Sequence, residues 1–129
     1  MGAVALDASV AIALLDPADS HHREAAAALR EHTRSALSMA SSAYSETLVQ
    51  PLVKGLDEAV EEFVESLRIE IVAADRGIGR HAAELLARHR TLRLPDALVL
   101  ATAQARGASL LTFDTRLARL AGEASAPQS

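Results

Sequence analysis

Four short apolar segments, Ala3–Asp7, Ser35–Ala40, Ile69–Ala73 and Ala108–Thr112, each lead into one or two longer stretches of helical pattern. This alternation confines the chain to a parallel sheet, because parallel neighbours must be joined by long crossovers that cover both sheet faces. The crossovers should be right-handed. The expected helices are Ser9–Leu15, His21–His32, Ser41–Val53 with a bend near Pro51, Asp57–Arg68, Asp75–Arg90, Pro95–Arg106 and Asp114–Leu120. Proline in the first turn and Gly107 after the last frame the sixth of these. The expected architecture is three layers, α/β/α, around a short, mainly parallel sheet of four to five strands. Residues 1–121 form a single domain, and "GEASAPQS" (122–129) reads as a polar C-terminal tail.

Composition narrows the function. The only aromatics are Tyr44, Phe63 and Phe113, so the core must be aliphatic. Folds that bind single strands by stacking bases on aromatic platforms are disfavoured. Without cysteine there is no disulfide framework and no thiolate metal site. The N-terminus lacks a positively charged leader and no apolar run reaches the length of a membrane span, so a cytoplasmic location is expected. A net charge of −4 argues against a protein that coats nucleic acid. That charge is uneven: Asp57–Glu70 is acidic and Arg76–Arg93 is basic. The plain reading of each run is a solvated helix face.

The carboxylates carry the chemistry. In a parallel sheet the default site lies beyond the carboxyl ends of the strands. Asp7 ends the first strand, and Asp114 follows the "SLLT" strand by two residues. Asp96 lies in the first turn of the helix leading into that strand, which puts it at the same edge. Glu46 lies roughly 8 Å along the helix after the second strand, at 1.5 Å per residue, and its long side chain can lean back over the edge. Four carboxylates converging there would repel by about 1–4 kcal/mol per close pair. A hard divalent ion removes that cost. Mg²⁺ takes oxygen ligands and keeps several waters, and such a site can polarise a phosphodiester and supply hydroxide. Each acid also has a plain alternative. Asp7 or Ser9 can N-cap the first helix, Asp96 can favour the dipole of its helix, and Asp114 can cap the last. Glu46 fits no capping box, since position 43 is alanine.

"ALDASVAIALL", Glu46 in a helix, "LPDALVLATA" and "LLTFD" together resemble the sequence blocks of PIN-domain ribonucleases, in their order and at similar spacing. The VapC-type toxins of bacterial toxin–antitoxin pairs are the nearest subgroup, and the resemblance spans about residues 3–121. It implies a Mg²⁺- or Mn²⁺-dependent endoribonuclease cutting single-stranded RNA, with Asp7, Glu46, Asp96 and Asp114 as the metal-chelating acids. It also implies that the hydroxyls of Ser9 and Thr112 orient carboxylates or waters. A homodimer and a cognate VapB-like antitoxin, whose tail fills the groove over the site, follow from the same likeness. Beside it, Arg93 and Arg116 become candidates for holding RNA phosphates. One departure concerns the fifth edge strand, for which "AGEASAPQS" offers no pattern.

Rival readings fare worse. A receiver domain needs a lysine after a late strand, and the sole lysine is Lys54. A haloacid-dehalogenase phosphatase needs Asp-x-Asp, where this chain has Asp7-Ala8-Ser9. "RGIGRH" lacks the third glycine of a dinucleotide fingerprint. A DNA or flap nuclease on this scaffold would need additional helices. The main alternative is a catalytically silent protein-binding module whose surface is the apolar stripes Val10–Leu15 and Val49–Val53.

Overall fold

The computed structural model describes residues 2–125. Four strands, β1 (Ala3–Leu6), β2 (Ala36–Ala40), β3 (Glu70–Val72) and β4 (Ser109–Leu111), form one sheet in the order β3-β2-β1-β4. Every pairing is parallel, with Ala5 opposite Ser38 on one side and Leu110 on the other. Each crossover contains two helices. They are α1 (Ala8–Leu15) and α2 (His22–Arg30), then α3 (Ser41–Lys54) and α4 (Asp57–Ser66), then α5 (Arg76–Arg88) and α6 (Leu94–Ala105). Helix α7 (Thr115–Ser125) follows β4. The result is the expected α/β/α sandwich, with no fifth strand among the described residues.

The strand order reverses beside β1: the chain passes from β1 to β2 on one side and reaches β4 on the other only after the third crossover. The crevice of an open α/β sheet opens at such a reversal. β1 is covered on both faces, with Val4, Ala5 and Leu6 all buried, which is why its sequence is unbroken apolar. The edge strands β3 and β4 are only three residues long, which limits the backbone left open to pairing with another chain.

Helix α6 lies across β2 and β4, with α5 and α7 packed against it. Ala97, Val99, Leu100, Ala101, Thr102 and Ala103 are all buried, so this helix is apolar on every side because it is covered on every side. Thr102 satisfies its hydroxyl on the Leu98 carbonyl at 2.7 Å. The core is aliphatic as composition required. Leu6, Met39, Leu100, Leu117 and Val60 are its largest fully buried apolar side chains, while Tyr44, Phe63 and Phe113 pack only at its margin. No helix among the described residues is long and apolar enough to cross a membrane.

Most element ends lie within two residues of the sequence reading. Helix α7 differs, running to Ser125 instead of stopping at Leu120. Ala121, Glu123 and Ala124 favour helix, and Gly122 adds only about 1 kcal/mol against it. The remainder of the expected tail, residues 126–129, lies outside the described residues.

Helices α3 and α4 close in the same way and differ at one residue. α3 ends at Gly55 (φ +70), with the Leu56 N–H donating to Pro51 O at 2.7 Å. α4 ends with the Ile69 N–H donating to Val64 O at 2.9 Å, but its left-handed position is occupied by Arg68 (φ +52). A side chain with a Cβ is strained there. Arg68→Gly should therefore stabilise the fold by about 1 kcal/mol. Chemical denaturation of the two proteins measures this, and an unchanged midpoint would mean that the arginine side chain offsets its own strain.

Candidate metal centre

Asp7 occupies the reversal point. Its N–H donates to Leu111 O at 3.0 Å, which continues the β1–β4 ladder, and its carbonyl accepts from Val10 and Ala11 to start α1. Its carboxylate is held by three donors. Oδ1 accepts from the Ala8 N–H (2.8 Å), and Oδ2 accepts from Ser9 Oγ (3.2 Å) and Thr112 Oγ1 (2.7 Å). Both hydroxyls singled out in the sequence thus converge on one carboxylate oxygen.

Glu46 sits in α3 with its side chain largely open to water. Its carboxyl group is nonetheless held above the ordinary glutamate range. Partial burial of the carboxyl end is the first cause, and the negative charges of Asp7 and Asp96 follow. The Arg93 guanidinium pulls in the opposite direction. These mutual effects put Glu46, Asp7, Asp96 and Arg93 in one electrostatic neighbourhood. Asp96 lies in the first turn of α6 and caps none of its N–H groups; Arg93 is the N-cap residue and makes no side-chain cap either.

Asp114 stands differently. Its Oδ1 accepts from the N–H groups of Arg116 (3.0 Å) and Leu117 (3.1 Å), so it caps α7. It reaches Asp7 through Thr112, whose Oγ1 accepts from the Asp114 N–H at 3.1 Å while donating to Asp7. It is not among the charges that shift Glu46. The structure therefore brings Asp7, Glu46 and Asp96 into one field and ties Asp114 to Asp7 by a hydroxyl. Among the described residues, no three His, Cys, Asp or Glu side chains close into a preformed metal cage. The donor set is all oxygen, solvent-accessible and mutually repelling. That suits a hydrated hard cation held by one or two carboxylates better than a tightly enclosed one.

Of the candidate arginines, Arg93 is exposed at the head of α6. Arg116 is partly buried, and its Nη2 has no hydrogen-bond partner among the described residues. Arg76, Arg80, Arg88 and Arg90 are exposed, as the plain reading of a solvated face required, with Arg80 paired to Glu84 at 3.7 Å. The apolar stripe Val10–Leu15 is corrected. Val10, Ala11 and Ala13 are buried in the core, and of the stripe only Ile12 is exposed. The open apolar surface lies on α3 and the turn after it, at Val49, Leu52, Val53 and Leu56. A groove of about 370 Å³ runs there, lined by Ile12, Leu15, Pro51, Leu56 and Val60, and Glu46 is part of its wall. The sequence reading did not single out one further feature beside the acids, the stacked rings of His21 and Phe113. The only hint was that one of the chain's three aromatics directly precedes Asp114.

The PIN domain family pattern matches residues 4–123. Among curated protein sequences no significant match is found. Solved structures share the fold. VapC20 of Mycobacterium tuberculosis, a toxin that cleaves the sarcin–ricin loop, superposes with a TM-score of 0.76 at 17% identity over 92% of this chain and 95% of that one. A toxin–antitoxin complex from Klebsiella pneumoniae gives 0.76 at 24% identity over 88% of each chain. The DNA-bound VapBC of Salmonella typhimurium gives 0.67 at 22% identity over 91% of this chain and 90% of that one.

The direction of the Glu46 shift sets a pH dependence. A carboxyl group whose pKa is higher in the folded than in the unfolded chain favours folding only while protonated. Its contribution is full below the ordinary glutamate pKa and is lost as pH rises through the raised value. Glu46→Gln keeps the shape and removes the charge. In EDTA it should melt higher than wild type at neutral pH and coincide with it at about pH 4. Thermal melts at both pH values check this, and no gain at neutral pH would put Glu46 outside the field of Asp7 and Asp96.

Proposed function

Because the chain belongs to the PIN domain family, we propose that it is a divalent-metal-dependent endoribonuclease that cuts single-stranded RNA as the toxin of a type II toxin–antitoxin pair. The observation that supports this reading is the Asp7 carboxylate, held at the carboxyl end of β1 by the Ala8 N–H, Ser9 Oγ and Thr112 Oγ1, with the charges of Asp7 and Asp96 adding to the burial that raises the Glu46 carboxyl. A fold that gathers like charges at its default binding crevice accepts a stability cost that a cation there would offset.

In this reading Asp7, Glu46, Asp96 and Asp114 are the acids that would hold hydrated Mg²⁺ or Mn²⁺, one or two of them directly and the others through its waters. When bound, the ion would polarise the scissile phosphodiester and lower the pKa of an attacking water. Ser9 and Thr112 fix the Asp7 carboxylate, so that it is oriented before any ligand arrives. Asp114 contributes its second oxygen while the first caps α7, since a carboxylate has two. Arg93 and Arg116 meet the phosphates. The antitoxin lies in the groove between Ile12 and Leu56, a mainly apolar surface with Asp16, Glu46 and Lys54 in its wall, whose two acids suit a helix carrying a basic side chain. A homodimer belongs to the same proposal.

Metal should stabilise the wild type by RT ln(1 + [L]/Kd), about 1.4 kcal/mol at tenfold over Kd. Asp7→Asn and Asp96→Asn should lose most of that gain together with RNA cleavage. Thr112→Val should lower cleavage by roughly ten- to a hundredfold. Thermal melts across a Mg²⁺ or Mn²⁺ titration, paired with cleavage of a single-stranded RNA pool, test these expectations. An unchanged metal response with cleavage intact in both Asn variants would overturn the shared site.

For the partner, co-expression with the adjacent small reading frame should yield a stable complex that does not cleave RNA. Leu56→Asp, on the exposed wall of the groove, should release the partner and leave cleavage by the free chain unchanged. Recovery of only free, equally active wild type would count against the antitoxin.

A further inference from the structure

The His21 and Phe113 rings stack beside the acids, with centroids 4.5 Å apart and planes within 19° of parallel. Phe113 is fixed from the site side. It lies between Thr112 and Asp114 in the chain, and its N–H donates to Ser9 Oγ (3.3 Å), the same hydroxyl that donates to Asp7. His21 is fixed from the other side. Its N–H donates to the Asp19 carboxylate at 2.8 Å, and the start of α2 is pinned to α1 by the contact of His22 Nδ1 with Ala13 O at 2.7 Å. The His22 side chain already ties α2 to α1, so the His21 ring is not required for docking. Yet the His21 side chain stays 52% exposed, with Phe113 on one face. A flat ring, backed by a second ring, is thus presented to solvent, and the backing residue is joined to the Asp7 carboxylate by two hydrogen bonds, from the Phe113 N–H to Ser9 Oγ and from Ser9 Oγ to Asp7.

We infer that the His21–Phe113 pair is a stacking plate for one unpaired nucleobase of the RNA, next to the phosphate that is cut. This rests on the ribonuclease reading above and names the part of the substrate that the acids cannot hold. The crevice is negative and repels phosphates, whereas a nucleobase is uncharged and stacks irrespective of that field. An aromatic plate needs no particular base, because every base has a flat face. A base inside a duplex is already stacked on its neighbours, so the plate selects a single strand.

The test is a two-way cycle on a short single-stranded RNA whose cut site by the wild-type chain has been mapped. Abasic sites are placed one at a time along the strand, and kcat/KM is measured for wild type, His21→Ala and His21→Phe, with melting curves confirming that all are folded. Wild type should lose about tenfold at one position flanking the cut and little elsewhere. His21→Ala should lose a similar factor on intact RNA and lose nothing more at that position, while His21→Phe should behave as wild type. Full activity of His21→Ala would overturn the plate. So would a uniform loss on every substrate with the abasic penalty retained, which is the mark of a ring that only clamps α2. Failure of the wild type to cut any RNA would instead strike the ribonuclease reading itself, and the plate with it.

Discussion

The carboxylate of Asp7 is the point on which both the packing and the charge of this molecule turn. One residue ends the central strand, starts α1 through its carbonyl, and extends the ladder to β4 through its N–H. Its side chain then binds the backbone of α1 and the hydroxyls of Ser9 and Thr112. Hydrogen bonds to an ionised acceptor are roughly twice as strong as neutral ones, so this cluster holds the carboxyl ends of β1 and β4 together. Glu46 and Asp96 come within its electrostatic reach from α3, which follows β2, and from α6, which leads to β4.

Capping and ligation are often set against each other for acids at helix starts, but a carboxylate has two oxygens and a cap engages one of them. Asp7 and Asp114 do cap, and each does so through one oxygen. Asp96, whose charge in the first turn of α6 favours the helix dipole, is not the N-cap residue. Its neighbours give it a different character, because its charge helps to raise Glu46. The Glu46 carboxyl is raised first by its own partial burial and then by the charges of Asp7 and Asp96, and perturbed carboxyls of this kind cluster at functional sites.

Much of this was legible in the sequence because its signals are local. Unbroken apolar runs ended by Asp7 or followed by "TFD" mark buried strands and their edge, and Pro95 with Gly107 brackets α6. The four acids could be assigned to one edge from topology alone. What could not be read depends on orientation. "VAIALL" is apolar at every position, so periodicity could not say that Val10, Ala11 and Ala13 face inward and Ile12 outward. Whether Asp114 points at the crevice or at its own helix is a rotamer question. The His21–Phe113 stack joins residues from opposite ends of the chain, and Arg68 adopts a conformation that its residue type disfavours. No sequence pattern of the chain alone announces either.

Glu46 links the two surfaces on which function would depend. It is at once a wall of the apolar groove and a member of the acid cluster. A chain seated along Leu56, Pro51 and Ile12 would gain affinity from apolar burial, and its end would meet a negative field. Apolar contact is tolerant of sequence, whereas a basic group facing Glu46 and Asp96 must be placed correctly. The same basic group would compensate the repulsion that a metal ion otherwise relieves. Partner and metal would therefore satisfy one electrostatic demand in alternative ways, and a partner bound in the groove would restrain catalysis simply by supplying the charge that the crevice lacks.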